Sequence, residues 1–283
     1  MKLTIIEGNS QRLDGGAMFG NAPKALWSRW ITADDQNRIP MACRCLLMQT
    51  DDKNILFETG IGAFFEPELA KRYGIESSDH ELLKNLARVG LSHQDIDIVV
   101  LSHLHFDHAG GLLSQWQNEG ELELLFPNAE FIVGKRHYEH AVAPHFRDRA
   151  SFLPSLNQQL VDSGRLTLID EQQTSHLPNV EFFFSDGHTP GLMLSEITTE
   201  HGPLVFCSDL IPGQFWVHLP ICMGYDRFPE KLIDEKQVLL ERLLPEGGAL
   251  FFTHDVEMPV GKVAKNEKGK FEVARSNSYT VNS

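Results

Sequence analysis

Apolar positions fall into short runs separated by polar and glycine-bearing stretches, and the runs alternate between a period near two and a period near three to four. Strand-like runs cover Leu3–Glu7, Ala42–Gln49 and Asn54–Glu58. The stretch LDGGAMFGNAPKALW between the first two reads as a loop. Residues Phe65–Tyr73 and Ser78–Val89 carry a helical pattern. In the second, Ser78 stands where a cap would, and Leu82, Leu83 and Leu86 share a face. The run IDIVVLSH predicts a buried strand, followed by a helix-like segment over Gly111–Trp116, a strand at Glu130–Gly134 and a helix at Lys135–Ala141. Strands are expected at Arg165–Ile169, Val180–Ser185, Leu192–Thr198, Leu204–Ser208 and Ala249–Thr253, with a long amphipathic helix at Lys231–Leu243. Strands mixed with helices over one continuous pattern predict an α/β sandwich. No linker divides residues 1–283, so a single domain is expected. Its polar tail, 262–283, carries five basic and two acidic residues and is expected to fray or to close a last hairpin.

The candidate chemistry sits where the apolar runs stop. NILFETG ends in Glu58, and IDIVVLSHLHFDH ends in His103, His105, Asp107 and His108. VEFFFSDGHTPG ends near His188, PLVFCSD in Asp209, and GALFFTHD in His254 and Asp255. Buried strands of an open sheet deliver their loops to a common edge, where ligands gather. Imidazoles and carboxylates at such an edge cost desolvation energy unless they are paired or coordinated, and a metal ion supplies the pairing. A single His or Asp after a strand is ordinarily a hydrogen-bonded or capping residue. The spacing His-x-His-x-Asp-His, a following Gly110-Gly111, and three further ligand-type strand ends together point to a metal site.

Composition narrows the partners. Hydrophobic residues make up 42% and charged residues 23% of the 283, an ordinary globular balance. The formal net charge of −14 repels phosphate backbones, which argues against nucleic acid, and an anionic substrate would need a local cation. No stretch approaches the ~20 apolar residues of a membrane span, and the opening MKLTIIEGNS does not read as a signal peptide. A cytoplasmic protein with a small-molecule substrate is expected. The four cysteines, Cys43, Cys45, Cys207 and Cys222, are too few and scattered for a disulfide framework and read as buried thiols. The oligomeric state stays open, a homodimer included.

The motifs HLHFDH, GHTPG, CSDL and FFTHD, in this order, resemble those of the metallo-β-lactamase superfamily over about residues 1–260. The resemblance implies an αββα sandwich: two mixed β-sheets with helices on the outer faces and a dinuclear metal site at one edge. It implies that His103, His105 and His188 hold a first ion, that Asp107, His108 and His254 hold a second, and that Asp209 bridges them. The ions are expected to be Zn2+, with Mn2+ or Fe2+ as alternatives. Where the superfamily has Asp-Thr-Gly at a strand end, this chain has Glu58-Thr59-Gly60, and Glu58 is expected to orient a ligating histidine from behind.

The same resemblance implies a metal-bridged hydroxide attacking an ester-like bond, with Asp107 passing the proton to the leaving group. The length and N-terminal loop are similar to N-acyl-homoserine lactonases and methyl parathion hydrolase-like members, which makes a lactone the expected substrate. A phosphotriester or aryl ester is the runner-up, and a non-hydrolytic iron oxygenase of the same fold is more distant. The lactonases carry a tyrosine three residues after the bridging aspartate, where this chain has Pro212. Candidate substrate contacts are therefore Phe19, Trp27, Phe106, Phe215, Trp216 and His218, with Tyr225 as a substitute for the missing tyrosine.

Overall fold

Along the chain the strands are β1 (Lys2–Glu7), β2 (Gln11–Asp14), β3 (Arg38–Met41), β4 (Arg44–Gln49), β5 (Asn54–Phe57), β6 (Ile98–Leu101), β7 (Glu130–Gly134), β8 (Leu166–Ile169), β9 (Val180–Ser185), β10 (Leu192–Thr199), β11 (Gly202–Phe206), β12 (Ala249–Phe251), β13 (Val260–Lys265) and β14 (Phe271–Arg275). They are seen in a computed structural model that describes residues 1–275; the remainder of the expected polar tail lies outside the described residues. The described chain divides into two units, residues 1–11 with 42–170, and residues 12–41 with 171–275.

The first unit holds a six-stranded mixed sheet in the order β1-β4-β5-β6-β7-β8. β1, β4 and β5 pair antiparallel, and β5 to β8 run parallel. The parallel strands are continuous apolar runs, Ile98–Leu101 being buried throughout, as a sheet covered on both faces requires. Helices Glu81–Arg88, Lys135–Val142 and Pro154–Asp162 bury Leu82, Leu86, Ala141, Leu156 and Leu160 in this unit's core. β5 and β6 are parallel, so Glu58 and His103 leave the sheet at the same edge.

The second unit holds a mixed sheet in the order β14-β13-β12-β11-β10-β9. β9 and β11 each pair antiparallel with β10, and β12 is parallel to β11. β9, β11 and β12 therefore point the same way and hand His188, Asp209 and His254 to one end. The helix Pro229–Glu246 buries Leu232, Leu239, Leu240 and Leu243 in a core shared with Trp27, Val205 and Leu250. It starts on a proline at the first helical turn and stops at Gly247, whose φ of 67° is the left-handed cap that ends many helices.

Several local expectations are corrected. The stretch read as a loop contains the helices Gly15–Phe19 and Lys24–Trp27, the first started by Asp14, whose side chain accepts from the Ala17 N–H at 2.8 Å. Ser78 is not a cap: the helix begins at Glu81 after His80, and the neighbouring Ser77 hydroxyl donates to the Glu81 carboxylate at 2.6 Å. Gly111–Trp116 is not helical. A single 3-10 turn at Gly110–Leu112 leads to an extended Leu113 that bridges Leu124. A Cβ at Gly111 would overlap the Thr59 carbonyl oxygen, so this glycine is required by close backbone approach. The described part of the tail forms the β13–β14 hairpin. No helix among the described residues is long and apolar enough to cross a membrane.

Candidate metal centre

In the first unit, β6 runs into Ser102-His103-Leu104-His105, and the chain then turns into the short helix Phe106–Ala109. His105 remains extended, with φ −65° and ψ 148°, so His103 and His105 lie to one side with ring centroids 4.5 Å apart. The helical turn carries Asp107 and His108, and brings the His108 ring 4.0 Å from that of His103. All four side chains are buried.

Glu58 orients this group. Its Oε2 lies 2.8 Å from His108 Nδ1, and its Oε1 accepts from the Ser102 hydroxyl, whose oxygen lies 2.9 Å from His103 Nδ1. With the carboxylate as terminal acceptor, both rings carry their proton on Nδ1 and present Nε2 as a lone pair. That is the tautomer a metal ligand needs. Glu58 reaches His108 from a backbone φ of 61°, a left-handed conformation that costs a non-glycine residue on the order of 1 kcal/mol. Its main-chain N–H is held by the Val100 carbonyl at 2.8 Å.

Two further side chains hold the loop. His137 Nε2 accepts from the Leu104 N–H at 2.8 Å, between the first two histidines of the motif. Gln11 donates to Asp107 Oδ2 at 2.7 Å. Sequence reasoning did not single out Ser102, His137 or Gln11. Ser102 alone carried a signal, being the residue directly before the motif.

In the second unit, Asp209 sits between two imidazoles. Its Oδ2 is 3.2 Å from His188 Nε2 and its Oδ1 is 3.1 Å from His254 Nε2. His188 Nδ1 faces Asp226 Oδ1 at 2.9 Å. Asp226 also accepts from the Met223 N–H at 2.6 Å. Burial pushes the Asp226 carboxyl above the ordinary carboxylate range, and its bond to His188 opposes that shift. Asp226 lies beside Tyr225 in CMGYDRF and was missed, because a lone Asp in a loop looks like any turn residue. Asp209 follows Ser208, which has a φ of 43° and turns the chain sharply at the end of β11. The His254 main-chain N–H donates to the Pro212 carbonyl at 3.0 Å, so Pro212 holds the chain at His254 through its backbone. Asp255 accepts from the N–H groups of Gln214, Glu257 and Met258, a loop-shaping role.

The chemistry of the donors fits a divalent cation. With His188 Nδ1–H donating to Asp226, Nε2 aims a lone pair at a carboxylate oxygen 3.2 Å away. Two acceptors facing each other in a buried setting are unfavourable until a cation joins them. One oxygen of Asp209 faces each imidazole.

Beside His254, the second unit contains a cavity of about 260 Å3 whose walls include Trp30, Met41, Phe215 and Trp216, with Glu257 also lining it. Phe215 stacks on Trp30 at 5.4 Å, and Trp216 stacks on Phe19 at 4.5 Å. Phe19 and Trp27 are fully buried and stacked on each other behind Trp216. His218 is half-buried just past this wall, its pKa lowered first by burial and further by Lys270 and Lys236. Tyr225 is 43% exposed. Phe106, in the first unit, packs edge-on against Phe65 and beside Tyr73. All four cysteines are buried, and none is in a disulfide.

Comparison with known proteins agrees with this geometry. Residues 38–254 match the family described as the metallo-beta-lactamase superfamily. An N-acyl homoserine lactonase from Bacillus cereus is 26% identical over 240 residues, covering 80% of this chain and 86% of the relative. The crystal structure of a probable metal-dependent hydrolase from Staphylococcus aureus superposes with a TM-score of 0.85 at 25% identity, covering 97% of each chain. AidC, a dizinc quorum-quenching lactonase in complex with a product, superposes with a TM-score of 0.76 at 24% identity over 97% of this chain and 94% of its own. The family match spans most of the chain and contains the histidine and aspartate motifs just described: the chain belongs to the metallo-β-lactamase superfamily and is a metal-dependent hydrolase of that fold.

Proposed function

We propose that the protein hydrolyses the ring ester of lactones with two divalent ions, and that these are Zn2+. In this reading His103, His105 and His188 would hold one ion, Asp107, His108 and His254 would hold the other, and Asp209 would serve both. The observation that carries the reading is Asp209, with one carboxylate oxygen turned to His188 and the other to His254. Imidazole and carboxylate donors without thiolate suit zinc in a catalytic site. A dizinc lactonase shares the fold.

When bound, two such ions supply a water acidified to near neutrality and a charge that polarises the ester oxygen. The chain's own residues do the rest. Glu58 and Ser102 hold His103 and His108 in the Nδ1–H tautomer, and Asp226 does the same for His188. Asp107, with Oδ2 held by Gln11, would take up the proton lost by the attacking water and pass it to the leaving alkoxide. The aromatic cavity beside His254 takes the apolar arm of the substrate and keeps water away from it. Relatives named N-acyl homoserine lactonase make an acyl arm the reasonable occupant. Buried cysteines outside any disulfide accord with a cytoplasmic location.

The test is a parallel assay of the zinc-loaded protein on a long-chain N-acyl homoserine lactone and an aryl phosphotriester. The lactone is expected to show the higher kcat/KM. A preference for the phosphotriester of more than about tenfold, ~1.4 kcal/mol in transition-state stabilisation, replaces the lactone reading with a phosphotriesterase one.

A further inference from the structure

The helix Pro229–Glu246 buries a lysine among its leucines. Lys236 has no exposed surface. It occupies a core position of the same stripe as Leu232, Leu239, Leu240 and Leu243. A buried ammonium is costly unless its protons are all engaged, and a leucine or methionine would fill the same space at lower cost. The Lys236 ammonium donates to the main-chain carbonyls of Trp216, at 3.0 Å, and Ile221, at 2.5 Å. One helix side chain thereby ties down both ends of a short loop segment.

One end of that segment belongs to the cavity wall: Trp216, with Phe215 and Gln214 just before it, lines the cavity next to His254. The Trp216 indole N–H donates to the Met18 carbonyl at 2.9 Å, and its ring lies on Phe19. The side chain of Trp216 is thus fixed from one direction and its carbonyl from the other. The adjacent residue of the helix performs a different task. Glu235 accepts from the Ser185 hydroxyl at 2.6 Å and from the N–H groups of Asp186 and Gly187 at 3.0 Å, and Lys231 pairs with Asp186. Gly187 has no room for a Cβ against the Leu232 backbone, so the helix rests directly on the chain that leads to His188. Two neighbouring side chains on one helix therefore hold two separate things: Glu235 the strand end before a histidine of the site, and Lys236 the aromatic wall.

We infer that Lys236 is a positioning residue that, by holding the Trp216 and Ile221 carbonyls, sets the cavity wall at residues 214–216, and through it the protein's preference for substrates bearing an apolar arm. The inference rests on the lactone reading only for the identity of that arm. Burial pushes the Lys236 pKa down to about 8, while Asp226 and Cys222 nearby favour its charged form. The neutral amine retains two N–H donors, so the clamp persists in either state.

The experiment uses the full, zinc-loaded chain carrying Lys236→Met, with Lys236→Gln as a second variant that keeps an N–H donor. Metal content and kcat on γ-butyrolactone, which has no acyl arm, are expected to stay within about twofold of the unsubstituted protein, while KM for an N-decanoyl homoserine lactone rises by about tenfold. Tryptophan emission is expected to shift to longer wavelength as Trp216 gains solvent, and the shift should vanish in a Trp216→Phe background. Lys236→Gln is expected to fall between the two. If KM rises equally for both lactones, or the emission is unchanged in a variant that keeps its metal, the inference is overturned. Failure of the unsubstituted protein to hydrolyse any lactone would remove the lactone reading alone, because the emission shift and metal content still test the clamp.

Discussion

Glu58 and His108 are joined by a 2.8 Å contact between Oε2 and Nδ1, made by a side chain one methylene longer than the aspartate expected at this strand end. Glu58 has a left-handed φ, and the second oxygen of the same carboxylate reaches His103 through Ser102. Replacement of Glu58 by Gln keeps the size but turns one acceptor oxygen into an NH2 donor and weakens the other. Metal affinity should drop by about 10- to 100-fold with the fold retained. A metal titration followed by fluorescence, alongside thermal unfolding of the metal-free protein, reads both effects. An unaltered titration would show that Glu58 only terminates β5.

Asp226 plays the corresponding part for His188, and its substitution has a separable signature. Burial disfavours its charged form. Asp226→Asn should therefore leave the metal-free protein at least as stable, while zinc affinity falls by about tenfold or more as the His188 tautomer is released. Urea unfolding without metal and competition with a chelator distinguish the two. A loss of stability with unchanged metal affinity would make Asp226 a purely structural residue.

The legible part of this site was the part in which ligand-type residues crowd together or end apolar runs. HLHFDH concentrates four such side chains, and the β9, β11 and β12 ends each deliver one. The residues behind them were not legible. Asp226 is distant in sequence from His188, and Lys236 sits in a helix that carries several other charged residues, so neither stands out locally. Helix Gly15–Phe19 was hidden by its glycines, and its stability comes from the Asp14 cap and from Phe19 stacking on Trp27 and Trp216, contacts made by tertiary structure. Ser78 looked like a cap by type, yet the helix starts three residues later.

The pH dependence of stability follows from Lys236. Its folded pKa is lowered from 10.5 to about 8, so between these values the unfolded chain binds more protons than the native one. Stability contributed by this residue should then rise with pH across that window, the penalty of the buried charge being full below about pH 8 and relieved toward pH 10.5. Measured as the difference between the unsubstituted protein and Lys236→Met, the gain from pH 7 to pH 9.5 should be about 2 kcal/mol in favour of the lysine form. Paired denaturant titrations at the two pH values cancel the response of all other groups. A constant difference would mean that the ammonium is as well solvated in the fold as in water.

The central claim is that two ions are held by the seven residues His103, His105, Asp107, His108, His188, Asp209 and His254. Elemental analysis of the purified, zinc-replete protein tests it most directly. Two equivalents per chain are predicted, falling to one or fewer in Asp209→Ala, whose carboxylate is turned toward both His188 and His254. One equivalent or less in the unsubstituted protein, or two retained in Asp209→Ala, would contradict it.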